Sequence, residues 1–245
     1  MYYLRRLPIP GLSNCRDLGG FACDGGVTRF GVFFRSEAPC GLTQEAVELV
    51  KKFGVREVFE FRGEEETLCR PNSLEEALPY RAFRLTGGAE TFEKQNLPEG
   101  RFAWEKIYIK RAVEHRDWFR DVITACAEAE DGVLFNCTTG KDRTGIITCC
   151  LLSAVGVCAD DIAADYCVSE VYLQKMFHGM RTGKIRTRRK PATYEPYVFH
   201  TPYRAMLRFI RYLEKNYGSV RGYLLDIGVT EQALDQLREK FVEPY

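Results

Sequence analysis

The chain has 245 residues, 45% of them hydrophobic, which is enough apolar material to bury a substantial core. Lysines and arginines number 35 against 34 aspartates and glutamates, so no global field draws the molecule onto nucleic acid or an anionic membrane, and any anion site must be local. No stretch reaches the roughly 18 apolar residues of a membrane span, and Met1-Tyr2-Tyr3-Leu4-Arg5-Arg6 lacks the apolar core of a signal peptide; a cytoplasmic protein without stable membrane insertion is expected. Ten cysteines scattered through apolar segments are expected as free thiols. With only three histidines and no Cys-x-x-Cys pair, a structural zinc site is not expected, and no feature of the sequence calls for a cofactor.

Residues 1–41, rich in Gly and Pro, suit turns and a strand pair. Thr43 is placed to cap a helix carrying Ala46, Leu49, Val50 and Phe53, and Gly54 to stop it. Val55 to Phe61 reads as a strand. Residues 63–100 read as loops around a short strand near Tyr80 to Leu85. Trp104 to Ala129 has an interrupted helical stripe and predicts a long or broken helix. Gly132 to Cys137 is a short apolar run, followed by a Gly-containing turn and an almost wholly apolar helix from Thr144. Asp160 can cap a further helix through about Tyr172, residues 181–192 are basic, Tyr203 to Leu213 mark a penultimate helix, and Thr230 caps the last. Alternating strands and helices give an α/β fold: one domain over 1–245, a central mostly parallel sheet of four or five strands flanked by helices, and a helical second half from about 158.

The chemistry concentrates in Cys137-Thr138-Thr139-Gly140-Lys141-Asp142-Arg143. A loop that leaves a strand and enters a helix gathers backbone N–H groups and the positive end of the helix dipole, a setting for a dianionic phosphate. That field favours the thiolate of Cys137, the nucleophilic form. Arg143, six residues on, can lay its planar fork over two phosphoryl oxygens, and the Thr144 hydroxyl can donate to the sulfur. Gly140 permits the tight turn. A nucleotide P-loop is excluded because Gly140-Lys141 is followed by Asp142 rather than Ser or Thr.

This loop resembles the signature His-Cys-x-x-Gly-Lys-Asp-Arg-Thr-Gly of the tyrosine-phosphatase-like family of bacteria and fungi. Asn14-Cys15-Arg16-Asp17-Leu18-Gly19-Gly20, Phe34-Arg35-Ser36, Phe61-Arg62-Gly63-x-x-Glu66, Ala164-Asp165-Tyr166 and Tyr217 to Leu224 are similar to further segments of that family. The resemblance implies a cysteine-phosphatase fold and a two-step hydrolysis through a thiophosphate on Cys137, without a metal. It implies Asp142 as general acid and substrate contacts from Thr138, Thr139, Gly140, Lys141 and Thr144. Substrates would be phosphotyrosine, phosphoserine or phosphothreonine proteins, or small anionic phosphoesters; the alternatives are phosphoinositides or a weakened phosphate-binding relative. Two departures stand out: Asn136 replaces the family's His, and Glu60-Phe61-Arg62 replaces Asp-Leu-Arg. Asn136, Glu60, Arg62, Asp17 and Arg16 are therefore candidate supporting residues, and the basic residues of 181–192 a candidate lid.

Overall fold

The computed structural model describes residues 4–85, 102–130, 132–187, 190–191 and 196–245. In chain order its elements begin with β1 (Arg16–Asp17), β2 (Ala22–Cys23), β3 (Gly26–Thr28) and β4 (Phe33–Glu37). They continue through α1 (Gln44–Lys52), β5 (Glu57–Glu60), α2 (Glu64–Cys69), β6 (Tyr80–Ala82), α3 (Trp104–Glu114), α4 (Arg116–Glu128), β7 (Val133–Cys137) and α5 (Asp142–Ala154). The rest is helical, with α6 (Ala159–Tyr172), α7 (Gln174–Arg181), a 3-10 turn at Pro196–Phe199, α8 (Tyr203–Tyr217), α9 (Val220–Asp226) and α10 (Glu231–Phe241), before the closing strand β8 (Val242–Pro244).

The central sheet has five strands in the order β1-β4-β7-β5-β6, and only β1 runs antiparallel to its neighbour. Strand β7 is therefore flanked by parallel partners on both sides, which is why its residues Val133 to Cys137 are all buried and read as one apolar run. A buried central strand fixes its C-terminal end firmly, and the Cys137 loop begins there. On one face the core gathers Phe59, Phe61, Phe119, Phe135, Ile146, Ile147 and Leu151 between the sheet and the helical layer. On the other, α1 packs Ala46, Val47 and Val50 against Phe34, Val58 and Leu134.

The local signals read from the sequence act as expected where they are chemical. The Thr43 hydroxyl accepts from Ala46 N at 3.3 Å and caps α1, and Gly54 ends it with φ +104°. The broken helix divides at His115 into α3 and α4.

Three expectations need correction. Residues 64–69, read as loop because of their charges, form α2: Glu64, Glu65 and Glu66 occupy its first turn, where carboxylates complement the helix dipole, and Glu66 reaches back to Gly63 N at 3.0 Å. The C-terminus adds β8 beside β3, making a second sheet in the order β2-β3-β8 that no local pattern announces. The penultimate helix is α9, capped by Ser219 through Gly222 N at 2.8 Å, and not the Tyr203–Tyr217 helix. The part of the loop region expected over residues 63–100 that follows Leu85 lies outside the described residues, as do Arg188 and Arg189 of the basic stretch.

Candidate active site

Cys137 ends β7, and the chain turns through Gly140 into α5 at Asp142. Gly140 has φ +65°, and a Cβ there would sit 2.3 Å from the Ser36 carbonyl carbon and 2.4 Å from Glu37 N. The turn is thus pressed against the backbone of β4, and only glycine satisfies both its conformation and its clearance. Among the described residues, the backbone N–H groups from Thr139 to Thr144 donate to no protein acceptor. Orphan N–H groups converging at the start of a helix form an anion cradle.

The cradle is braced from behind by three arrangements that join distant parts of the chain. Asn14 Nδ2 donates to the carbonyls of Thr139 at 3.0 Å and Gly140 at 3.3 Å, and Arg35 Nη2 donates to the Gly140 carbonyl at 2.7 Å. Asp165 on α6 holds Arg35 at 2.6 Å and Arg16 Nε at 2.8 Å, with all three side chains buried. Burial opposes charge on Asp165, but Arg16 and Arg35 override it and keep its carboxyl well below the usual carboxylate range. Arg16 therefore supports the loop at one remove, through Asp165 and through a 2.5 Å bond to Asn14 Oδ1.

Arg143, from the first turn of α5, is gripped end-on by Glu66: Nη1 donates to Oε2 and Nη2 to Oε1, each at 2.7 Å. Burial favours the neutral acid at Glu66, yet the guanidinium prevails and lowers its carboxyl to about 2. Thr138 Oγ1 joins this pair, donating to Glu66 Oε1 and accepting from Arg143 Nη2. The Nε of Arg143 donates to no described residue, leaving the side edge of the fork for a ligand.

The two departures from the family pattern meet in one buried network. Glu60 accepts from Arg62 Nε at 3.0 Å and Nη2 at 2.7 Å, from Asn72 Nδ2 at 3.1 Å, and from Asn136 Nδ2 at 2.9 Å. The longer Glu60 arm thus reaches the shorter Asn136 side chain, and the residue before Cys137 is held without an imidazole. Arg62 also donates to the Arg70 carbonyl at 2.7 Å and is a structural cation that fixes the path into and out of α2.

Helix α3 lays Trp104, Tyr108 and Arg111, one buried face at helical spacing, beside the loop. Lys141 Nζ lies 4.0 Å over the Trp104 ring, and the Tyr108 hydroxyl donates to Asp142 Oδ1 at 2.6 Å. Burial lowers the Arg111 pKa, against the attraction of nearby Asp142.

Several expected residues are placed differently. Lys141 is buried and its ammonium donates to the carbonyls of Val198 at 2.8 Å and His200 at 2.9 Å, tying the loop to the 196–201 segment. Burial lowers its pKa, partly offset by Asp142. Asp17 lies outside the site: its carboxylate accepts from Gly19 N at 2.7 Å and Gly31 N at 2.8 Å and builds a turn. Burial raises its pKa to about 6 despite those N–H donors. The buried Thr144 hydroxyl, expected to donate to Cys137, has no hydrogen-bond partner among the described residues; a β-branched side chain in a helix has few χ1 choices, and the one adopted reaches no described acceptor. Sequence reasoning singled out neither Glu66, Asn14, Arg35 and Asp165 as bracing residues nor Tyr108 on Asp142. The first four lie in the family-like segments quoted above; Tyr108 carries no local signal.

A buried strand end, a glycine-hinged turn with open N–H groups, a cysteine at its start and a braced arginine at its close thus come together where β7 meets α5. The family model described as "Tyrosine phosphatase family" matches residues 7–243, and the chain belongs to that family of phosphoric monoester hydrolases. A tyrosine-protein phosphatase of Nostoc commune is 29% identical over 204 residues, 80% of this chain and 69% of the relative. The triple specificity protein phosphatase PtpB of Mycobacterium tuberculosis is 30% identical over 119 residues, 43% of this chain and 42% of its own length. Among the described residues no helix is long and apolar enough to cross a membrane.

Proposed function

We propose that this chain, acting as one catalytic unit, hydrolyses phosphomonoesters of the phosphotyrosine type with Cys137 as nucleophile. The carrying observation is the set of unpartnered N–H groups from Thr139 to Thr144 around the turn that follows Cys137, beside the free Nε edge of Arg143. A phosphoryl dianion satisfies both, and it places phosphorus in front of the sulfur. In the first step the Cys137 thiolate attacks phosphorus, the bond to the leaving oxygen breaks, and Asp142 protonates that oxygen. In the second, water attacks the thiophosphate while Asp142 takes its proton, releasing phosphate and restoring the thiolate.

Glu66 serves this reaction by presenting the Arg143 fork in one plane, and Asn136 by closing the Glu60 network under the strand end. That closure argues for a competent enzyme over a phosphate-binding relic. Lys141, which would favour phosphoinositides if it faced a second phosphate, is committed to two carbonyls, so phosphoprotein substrates are the better-supported class. All ten cysteines are free, as suits a reducing compartment such as the cytoplasm.

The test is phosphate release from p-nitrophenyl phosphate, a phosphotyrosine peptide and a phosphoinositide, with EDTA present, for wild type and Cys137→Ser. Turnover that persists in EDTA and vanishes in Cys137→Ser is expected, with the peptide preferred over the lipid. Activity retained by Cys137→Ser would overturn the proposal.

A further inference from the structure

Asp142 does not hang freely at the mouth of the loop. Its Oδ1 accepts the Tyr108 hydroxyl at 2.6 Å, and the Tyr108 oxygen lies 2.6 Å from the Tyr166 hydroxyl. Both tyrosines are fully buried and their rings meet edge-on at 5.9 Å. Burial, with Asp142 nearby, pushes both phenol pKa values far up, so neither gives up its proton in the working range.

The direction of this chain follows from counting hydrogens. Each phenol has one. Tyr166 has no hydrogen-bond partner other than Tyr108 among the described residues, so its hydrogen is satisfied only by pointing at the Tyr108 oxygen. The Tyr108 hydrogen must then point at Asp142 Oδ1. Reversing the chain would aim the Tyr108 hydrogen at Tyr166 and leave the Tyr166 hydrogen buried without an acceptor among the described residues, which is unfavourable.

We infer that Tyr108 and Tyr166 are positioning residues that keep Asp142 Oδ1 a permanent acceptor and so confine the transferable proton to Oδ2. This rests on Asp142 being the general acid. As the bond between phosphorus and the leaving oxygen breaks, its electron pair stays on that oxygen and the Oδ2 proton moves to it. The carboxylate left behind still accepts from Tyr108 at Oδ1, and Oδ2 then takes a proton from the water that attacks the thiophosphate. Without the Tyr166 hydroxyl the chain can flip, and the proton can rest unproductively on Oδ1. The same α6 segment thus serves two ends: Asp165 braces the loop backbone through Arg35, and Tyr166 orients the acid through Tyr108.

The test compares phenyl phosphate, whose leaving group needs a proton, with p-nitrophenyl phosphate, whose leaving group needs it far less. Asp142→Ala should lose about 100-fold in kcat/KM, which reports the step that breaks the bond to the leaving oxygen, on phenyl phosphate and much less on p-nitrophenyl phosphate, as for any general acid. Tyr108→Phe and Tyr166→Phe should each lose roughly tenfold in kcat/KM on phenyl phosphate and under about twofold on p-nitrophenyl phosphate. Adding Tyr108→Phe to Asp142→Ala should cost nothing more on either substrate. Equal losses on both substrates from the tyrosine variants, or a further loss in the double variant, would show a merely structural role and overturn the inference. If Asp142→Ala itself shows no leaving-group dependence, the assignment of the acid fails instead, whatever the tyrosine variants do. Phenylalanine preserves both rings, and the p-nitrophenyl phosphate rate reports that each variant is folded.

Discussion

Replacing Asp165 by Asn removes the carboxylate that buried Arg16 and Arg35 share. Asp165 accepts from Arg35 Nη1 at 2.6 Å and Arg16 Nε at 2.8 Å, and at most 2% of any of these three side chains is exposed. Arg5 also reaches it at 3.0 Å, but from a side chain that is 40% exposed. Burial and neighbouring Arg16 already pull the Arg35 pKa down to about 10, with Asp165 as its main support. Stranding buried cations in this way costs roughly 3–5 kcal/mol, whereas losing the exposed Arg5 partner in Arg5→Ala costs under about 1 kcal/mol. For a chain of this size each kcal/mol lowers Tm by about 2–4 °C, so Asp165→Asn should fall by roughly 6–20 °C. Urea unfolding followed by the fluorescence of Trp104 and Trp118 measures the difference directly. The depressed Asp165 pKa also fixes a sign: wild type keeps this contribution above the ordinary carboxylate value of 3.8 and loses it as pH falls toward the lower folded value. Asp165→Asn should lack that acid loss. A cost under about 1 kcal/mol, no larger than that of Arg5→Ala, would refute the reasoning.

Other substitutions probe the cradle and its surroundings. Glu66→Gln keeps the shape of the Arg143 brace but not its charge, and should weaken inhibition by vanadate about tenfold; unchanged inhibition would mean that Glu66 does not orient the fork. Gly140→Ala puts a Cβ into the Ser36–Glu37 backbone at a positive φ, and should cost at least about 2 kcal/mol in urea unfolding together with most of the activity. Asp17, with its pKa raised from 3.8 to about 6, binds its proton more tightly folded than unfolded, so its contribution is full below 3.8 and falls as pH rises through 6. The span corresponds to roughly 3 kcal/mol, and stability measured from pH 4 to 7 should show a downward slope in wild type that is absent in Asp17→Asn.

What could be read from the sequence was what lies close together along the chain. The strand, the glycine turn and the helix around Cys137 follow one another within a few residues, and each carries its own signal: an apolar run, a glycine, an apolar helix. Thr43, Gly54 and Thr230 cap or stop helices by chemistry that acts over three residues. The bracing of the site is another matter. Asn14 and Arg35 hold Gly140 across more than a hundred residues, and Glu66 holds Arg143 across 77, so no periodicity or spacing announces them. Lys141 illustrates the difference most sharply. Its place in the signature suggested an anion contact, but its direction is set by the Val198 and His200 carbonyls and the Trp104 face, which come from two other segments. The charges of residues 64–66 suggested loop because charge marks solvent exposure, yet at a helix start it also complements the dipole.

The proposed hydrolysis requires a covalent bond between Cys137 and phosphorus. Acid-quenched Asp142→Ala enzyme, mixed with p-nitrophenyl phosphate for less than one turnover and analysed by intact mass and peptide mapping, should carry a single phosphoryl group on Cys137. Phosphate release under turnover with no such adduct at any quench time, or an adduct on a residue other than Cys137, would contradict it.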